Sequence, residues 1–198
     1  MSINYLELLQ SRSRQLNASV FLLDLLERYP QFIEWSGSHA PVLHHYGKGG
    51  LLRHTSEVIE LGLSTIPQLQ LESKIDPTEY FLAALFHDTG KMFDYERVTD
   101  EKNTLGDPVG EYWKSSEHKR LIHHISRSAL IWHETSIRHP NKYQVKVLHA
   151  ILAHHGRRDQ GSPVAPKTRV AWLLHLCDGL SARMDDCDRL DVVHPPTL

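Results

Sequence analysis

Cysteine, long apolar runs and an excess of positive charge are all scarce in this 198-residue sequence. Its two cysteines, Cys177 and Cys187, cannot build a disulfide framework, and their spacing fits neither a redox CxxC pair nor a zinc ribbon. No apolar run reaches the roughly 18 residues that cross a bilayer, and the first residues lack the basic and apolar regions of a signal peptide. We therefore expect a cytoplasmic protein without a membrane partner.

The balance of charge argues against a second group of functions. Twenty-two Lys and Arg residues face 24 Asp and Glu residues, which gives a formal charge of −2 with histidine neutral. Tight electrostatic binding of long nucleic acid is therefore not predicted, although a local basic patch is compatible with this total. The sequence also contains no GxGxxG motif, no P-loop and no alternation of strands and helices, which counts against nucleotide-binding folds.

The apolar pattern predicts an all-α fold. Apolar residues recur at helical spacing in about seven segments, and a short hairpin is compatible with the irregular stretch at 95–113. Residues 1–40 are expected to form N-terminal packing helices, and residues 41–188 one globular functional unit. The predicted helices cover about 6–16, 19–29, 51–65, 76–88, 117–138, 144–155 and 168–184.

Histidine is the one residue type in excess: the chain contains fifteen, and histidine is the commonest metal ligand. Taken singly, a histidine beside an apolar stripe is usually a core residue with a hydrogen-bond partner. Asp178 is harder to explain in that way, because it closes an apolar helical run and a buried carboxylate is retained only when it is paired or metal-bound. Five helical segments offer such groups: His54, the pair His87-Asp88, His124, the pair His154-His155, and Asp178.

The order of these groups resembles that of the HD superfamily of metal-dependent phosphohydrolases. In detail the chain is similar to the HD domain of YhaM-type 3′-to-5′ exoribonucleases over roughly residues 42–186. The matching motifs are His44-His45 with Gly50-Leu51-Leu52-Arg53-His54, Leu85-Phe86-His87-Asp88-Thr89-Gly90-Lys91, His124-Ile125-Ser126, Leu152-Ala153-His154-His155-Gly156, Gly161-Ser162-Pro163 and Leu174-His175-Leu176-Cys177-Asp178-Gly179-Leu180-Ser181-Ala182-Arg183-Met184.

The resemblance implies a helical bundle that holds one or two divalent ions, with Mn, Fe or Zn suited to mixed His and carboxylate ligation. Two ions about 3.5–4 Å apart would generate a hydroxide that attacks a phosphodiester or phosphomonoester. Asp88 and Lys91 are the expected catalytic residues, with Lys91 at the rim of the site, where it would neutralise charge on the phosphoryl group. The implied core ligands are His54, His87, Asp88 and Asp178, and the implied ligands of a second ion are His124 with His154, His155 or both.

Further substrate contacts are expected from residues beside these motifs. His45 could hydrogen-bond the substrate or a ligand, and Ser126 could donate to a phosphate or cap the chain locally. Arg157, Arg158 and Lys167 flank the Gly-Ser-Pro loop, where they either meet a phosphate or form a solvated charge cluster. The four tryptophans are expected to pack, and Tyr112 and Trp113 are the strongest candidates for stacking on a base.

Two departures from the YhaM pattern shape the expected substrate. Those proteins usually carry an OB-type nucleic-acid-binding domain ahead of the HD domain, whereas only about forty predicted helical residues stand there in this sequence. This favours a nucleotide or a short RNA or DNA. In addition, Ser181 occupies the position of a second acidic residue expected after Asp178.

Two other functions fit an HD-type sequence. A few HD proteins are oxygenases with a mixed-valent di-iron pair, and this ligand set is compatible with that chemistry. An HD fold with a degenerate site can instead serve as a regulatory binding module. The presence of all the expected ligands counts against the second alternative.

Overall fold

A computed structural model of the protein describes residues 3–99, 102 and 110–193, without the side chains of residue 160 and residues 188–193. The fold is mostly helical, as predicted, and seven of its described helices have ten residues or more. The helices are α1 Tyr5–Gln15, α2 Ser19–Arg28, α3 Gly50–Gln68, α4 Pro77–Phe86, α5 Lys91–Asp94, α6 Glu117–Leu121, α7 His124–Arg138, α8 Gln144–Ala153 and α9 Arg169–Val193, with 3-10 turns at Pro30–Ile33 and Arg158–Gln160.

The predicted hairpin is confirmed as two short antiparallel strands, β1 Tyr95–Val98 and β2 Tyr112–Ser115, with Tyr95 opposite Ser115. The turn expected at Gly106-Asp107-Pro108 lies outside the described residues. Among the described helices, none combines the length and the apolar character that a bilayer span requires.

Helix α4 forms the centre of the bundle and is packed by α3, α7, α8 and α9. It begins as the sequence predicts, because the Asp76 carboxylate accepts a hydrogen bond from the Thr78 amide at 2.9 Å and Pro77 occupies the first helical position. Every residue from Tyr80 to Phe86 is fully buried. The residues that follow Phe86 are therefore held rigidly inside the protein.

The single helix predicted over 117–138 is wrong. The structure has two helices there, α6 and α7, separated by Ile122 and His123. His123 has φ 69°, a left-handed value that a continuous right-handed helix cannot contain. The Asp94 carboxylate holds the break, since it accepts a hydrogen bond from the His124 amide at 3.0 Å. The break places His124 at the first position of α7.

Helix α9 continues nine residues beyond the predicted end near Met184. The segment after Met184 is rich in acidic residues and has no apolar stripe to predict a helix. Asp185 anchors it, because its buried carboxylate accepts from the His45 amide at 2.6 Å and pairs with Arg53 Nη2 at 3.0 Å.

Asp24 ties α2 to α7 through a nearly buried carboxylate. It accepts hydrogen bonds from Thr135 Oγ1 at 3.0 Å and Arg138 Nε at 3.0 Å. Burial raises the pKa of Asp24, but the hydrogen bonds from Arg138, Thr135 and His139 outweigh it, so the pKa lies below its ordinary value of 3.8. Because the folded-state pKa is lowered, the contribution of Asp24 to stability is present above pH 4 and is lost as the pH falls through the folded-state pKa.

We expect Asp24→Asn to lower the free energy of unfolding by about 1–3 kcal/mol at pH 7, because it removes hydrogen bonds to a charged acceptor. Urea denaturation of both proteins measures the difference, and the exposed Asp159→Asn is the matched control. The difference should shrink below pH 4, and a constant difference from pH 7 to pH 3 would contradict this account.

Candidate metal centre

Four buried histidines share one orientation. In each, Nδ1 donates to a fixed acceptor of the protein, which leaves Nε2 facing a common interior point. The acceptors of His87 and His154 are the carbonyls three residues earlier, in the last turns of α4 and α8, because both histidines directly follow those helices. The distances are 2.7 Å from His87 to Ala84 O, 2.7 Å from His154 to Ile151 O, 3.1 Å from His54 to Ser181 Oγ and 3.1 Å from His124 to Asp94 Oδ2.

A first ligand group comprises His54, His87, Asp88 and Asp178, whose ligand atoms all lie within 4.8 Å of one another. The Nε2 atoms of His54 and His87 face each other at 3.3 Å, and Asp178 Oδ1 lies 3.1 Å from His54 Nε2 and 3.7 Å from His87 Nε2. Ring nitrogens and carboxylate oxygens that converge in this way can share a cation.

A second group lies beside the first and comprises His124, His154 and His155, again within 4.8 Å. The Nε2 atoms of His124 and His155 are 3.4 Å apart. Asp88 joins the two groups. Its Oδ2 lies 3.3 Å from His54 Nε2, whereas its Oδ1 lies 3.4 Å from His124 Nε2 and 3.6 Å from His154 Nε2.

The donor set fits divalent cations. Both carboxylate oxygens of Asp88 and Nε2 of His154 are buried without a hydrogen-bond partner among the described residues, apart from the ion pair that Asp88 forms with Lys91. Polar atoms in that situation are costly unless something binds them. A cation between the two groups would meet all three atoms.

The protonation states agree with this fit. Burial raises the pKa of Asp88 and of Asp178, but neighbouring cationic and hydrogen-bonding groups, Lys91 and His87 for Asp88 and His54 and His87 for Asp178, hold both well below the ordinary range. Burial lowers the pKa of His124 to about 4 and, with the help of His154, that of His155 to about 2. Ionised carboxylates and neutral imidazoles are the forms that bind a metal.

Lys91 does not lie at the rim of the site, as the sequence led us to expect. It is 6% exposed, and its ammonium lies 2.6 Å from Asp88 Oδ2. The chain turns directly from α4 into α5, which brings Lys91 back over Asp88 three residues earlier. The expected contact between Lys91 and a phosphate stays a prediction.

Gly90 is not a left-handed helix terminator, since its φ of −65° suits any residue. Its small size is what the fold needs: a Cβ placed on Gly90 would lie 2.2 Å from the His124 carbonyl oxygen. Ser128 Oγ accepts a hydrogen bond from the Gly90 amide at 2.8 Å and fixes this close approach. Gly90 thus sets the distance between Asp88 and His124.

Three further residues that sequence reasoning did not assign support the ligands. Asp94, fully buried, accepts from His124 and from His118 Nδ1 at 2.8 Å. Ser181 accepts from His54 and donates to Glu57 Oε2 at 2.9 Å. The spacing of Glu57 three residues after His54 puts both on one helical face and was the available signal.

His45 belongs to this outer network rather than to the ligand groups. Its Nε2 lies 2.8 Å from Glu57 Oε2, and its ring packs on that of His54 with centroids 4.8 Å apart. Burial raises the pKa of Glu57, but hydrogen bonds from His45 and Arg53 outweigh it and lower the pKa to about 2. Glu57 is therefore an ionised acceptor at neutral pH.

The other predicted contacts lie elsewhere. Ser126 and Arg157 are exposed, and their expected roles in binding substrate stay predictions. Trp113 is only 3% exposed and packs edge-on against Trp35, so it is not available for stacking. Trp172, which was expected to pack, is 48% exposed.

The sequence model of the HD domain family matches residues 51–183, the segment that carries both ligand groups. The chain belongs to the HD domain family. The 3′-5′ exoribonuclease YhaM of Shouchella clausii is 30% identical over 155 residues, which are 77% of this chain and 44% of that protein. The protein of the same name from a Geobacillus strain is 26% identical over 181 residues, which are 86% of this chain and 49% of the relative.

A third relative, 3′-5′ exoribonuclease YhaM of Bacillus pumilus, is 29% identical over 175 residues, 86% of this chain and 50% of that protein. The chain thus spans about half the length, or slightly less, of the curated relatives it matches. No solved structure shows a significant match to the chain.

Metal content should follow the division of ligands around Asp88. We expect about two ions per chain in the parent protein, about one in His124→Ala or His54→Ala, and almost none in Asp88→Ala, because Asp88 faces both groups. Elemental analysis after metal loading measures this, and the exposed His133→Ala is the matched control. Equal losses in all three ligand variants would contradict two separate groups.

The two glycines beside the ligands should respond in opposite ways to a methyl group. Gly90→Ala should lower the free energy of unfolding by about 1–3 kcal/mol, because the new Cβ meets the His124 backbone. Gly179→Ala should raise it by about 0.5–1 kcal/mol, since a Cβ there meets nothing within 4 Å and alanine favours a helix. Urea denaturation decides, and a shift of the same sign in both would show that the close approach of Gly90 is unimportant.

Proposed function

We propose that the protein is a metal-dependent phosphohydrolase with two ions, acting as a 3′-to-5′ exonuclease on short RNA or DNA or on a nucleotide. One observation carries the proposal: Asp88 turns one carboxylate oxygen to each of two histidine groups, and neither oxygen has a hydrogen-bond partner in the described structure. The names of the relatives supply the nucleic-acid substrate class.

Bound divalent cations supply the activated water and the positive charge that displacement at phosphorus requires. The chain's own residues hold this chemistry in place. His54 and His124 are fixed from outside by Ser181 and Asp94, and His87 and His154 by backbone carbonyls. A ligand that cannot rotate needs no reorganisation during the reaction.

Lys91 has two tasks in this proposal. Its ammonium balances the buried charge of Asp88, at 2.6 Å from Oδ2. It also remains close enough to the ligand groups to attract the phosphoryl oxygens. Both tasks need a positive charge, and a guanidinium in the same buried space would not fit without shifting its neighbours.

Activity should require both groups and a free 3′ end. With Mn²⁺, a 5′-labelled 12-nucleotide RNA should shorten one nucleotide at a time, and a 3′-phosphate should block the reaction. Asp88→Asn should abolish turnover, and Lys91→Ala should lower kcat about 10²–10³-fold, the effect of removing one charge that stabilises a transition state. Lys114→Ala, on the exposed side of β2, is the control.

A panel of labelled RNA, DNA and nucleotides tests the substrate class. Turnover of none of them by protein that carries its metal would contradict the proposed function.

A further inference from the structure

A groove of about 920 Å³ lies at the end of the bundle opposite the metal centre. It is formed where α4, α8 and α9 begin, whereas the ligands on or after these helices come nine to eleven residues later: Asp88, His154 and Asp178. At a rise of 1.5 Å per residue, groove and ligands are separated by about 15 Å along the helices. The groove is therefore a separate feature that no ligand occupies.

The groove gathers positive charge on a chain that is weakly acidic overall. Three carboxylates also line it, but Lys142 pairs with Asp76 and Lys146 with Glu79, each at 3.4 Å. The side chains of Lys74, Lys167 and Arg169 form no ion pair within the described structure. The five cations of the lining are Lys74, Lys142, Lys146, Lys167 and Arg169.

An aromatic surface adjoins these cations. Trp172 lines the groove and is 48% exposed, whereas Trp113 and Trp132 are buried at 3% and 0%. The indole stands one helical turn after Arg169 on α9, so the two side chains are neighbours on the helix surface. Unpaired cations beside an exposed aromatic ring are the pattern that holds single-stranded nucleic acid, with phosphates on the cations and a base on the ring.

The less buried ligands connect the groove with the metal centre. Asp178 is 16% exposed, and His155 is also partly exposed, unlike the fully covered His54, His87 and His154. Asp178 lies on α9 and His155 directly after α8, the same two helices that start at the groove. A strand whose end lies at these ligands can therefore reach the groove along α8 and α9.

We propose that the groove binds the upstream part of a single-stranded nucleic acid whose 3′ end lies at the metal centre, with Lys167 and Arg169 on phosphates and Trp172 under a base. This rests on the proposed function for the choice of substrate. At about 3.4 Å per stacked nucleotide, the separation of about 15 Å corresponds to about five nucleotides. The chain then holds a longer strand through its own helices, and substrates shorter than about five nucleotides gain nothing from the groove.

Binding without cleavage tests the proposal. The parent protein in EDTA should bind a labelled 12-nucleotide RNA more tightly than a dinucleotide, measured by fluorescence anisotropy. Lys167→Glu/Arg169→Glu should weaken binding of the 12-mer at least tenfold and lower the slope of log K against log salt by about 2, one for each lost phosphate contact. Lys48→Glu/Lys114→Glu, with the same charge change outside the groove, is the control.

Trp172 gives an independent measurement. Binding of the 12-mer should quench the tryptophan fluorescence of the parent protein, and Trp172→Phe should remove most of that quenching while Trp35, Trp113 and Trp132 remain. Quenching that is unchanged in Trp172→Phe would overturn the stacking contact.

Activity measurements separate this proposal from the proposed function. The ratio of kcat/KM for the 12-mer to that for a dinucleotide should fall about tenfold in Lys167→Glu/Arg169→Glu. If the protein cleaves nucleic acid but the groove variant keeps both the ratio and the binding of the 12-mer, the groove proposal is wrong and the function stands. If nothing is cleaved yet the 12-mer binds and the groove variant releases it, the groove proposal stands and the function is wrong. Tight binding of mononucleotides alone would show a nucleotide site instead and overturn it.

Discussion

The buried carboxylate of Asp88 is the constraint on which the rest of the structure depends. A charge at that depth is unfavourable unless opposite charge and hydrogen-bond donors surround it. Lys91 supplies one positive charge at 2.6 Å, and two sets of imidazoles approach from opposite sides. The apolar helix α4 carries Asp88 into the core, and the surrounding helices position the groups that make this tolerable.

The ligands were predictable because their chemistry is distinctive and their order along the chain is specific. His87, Asp88 and Asp178 stand at the ends of or inside apolar runs, where a charged or polar residue needs a reason. The structure brings these residues and His54, His124, His154 and His155 together. The all-α fold and the hairpin followed from periodicity and turn residues alone.

What the sequence did not predict depends on conformation rather than residue type. A left-handed φ at His123 has no signal, since histidine rarely adopts it, and so the break that places His124 was missed. In the run Val170-Ala171-Trp172-Leu173-Leu174 every residue is apolar, so periodicity cannot tell that Trp172 faces outwards. Asp94 and Glu57 were overlooked because they touch ligands and not the centre.

The ligands come from distant parts of the chain, and this has a consequence for folding. His54 and Asp178 are 124 positions apart, and each ligand is held by a different helix or helix end. No local segment can assemble such a set, so its contacts form only after the chain has closed its longest loops. A cation that binds only the complete set favours the native state by mass action, so occupancy and folding are linked. The centre thus acts as a long-range cross-link made without a covalent bond.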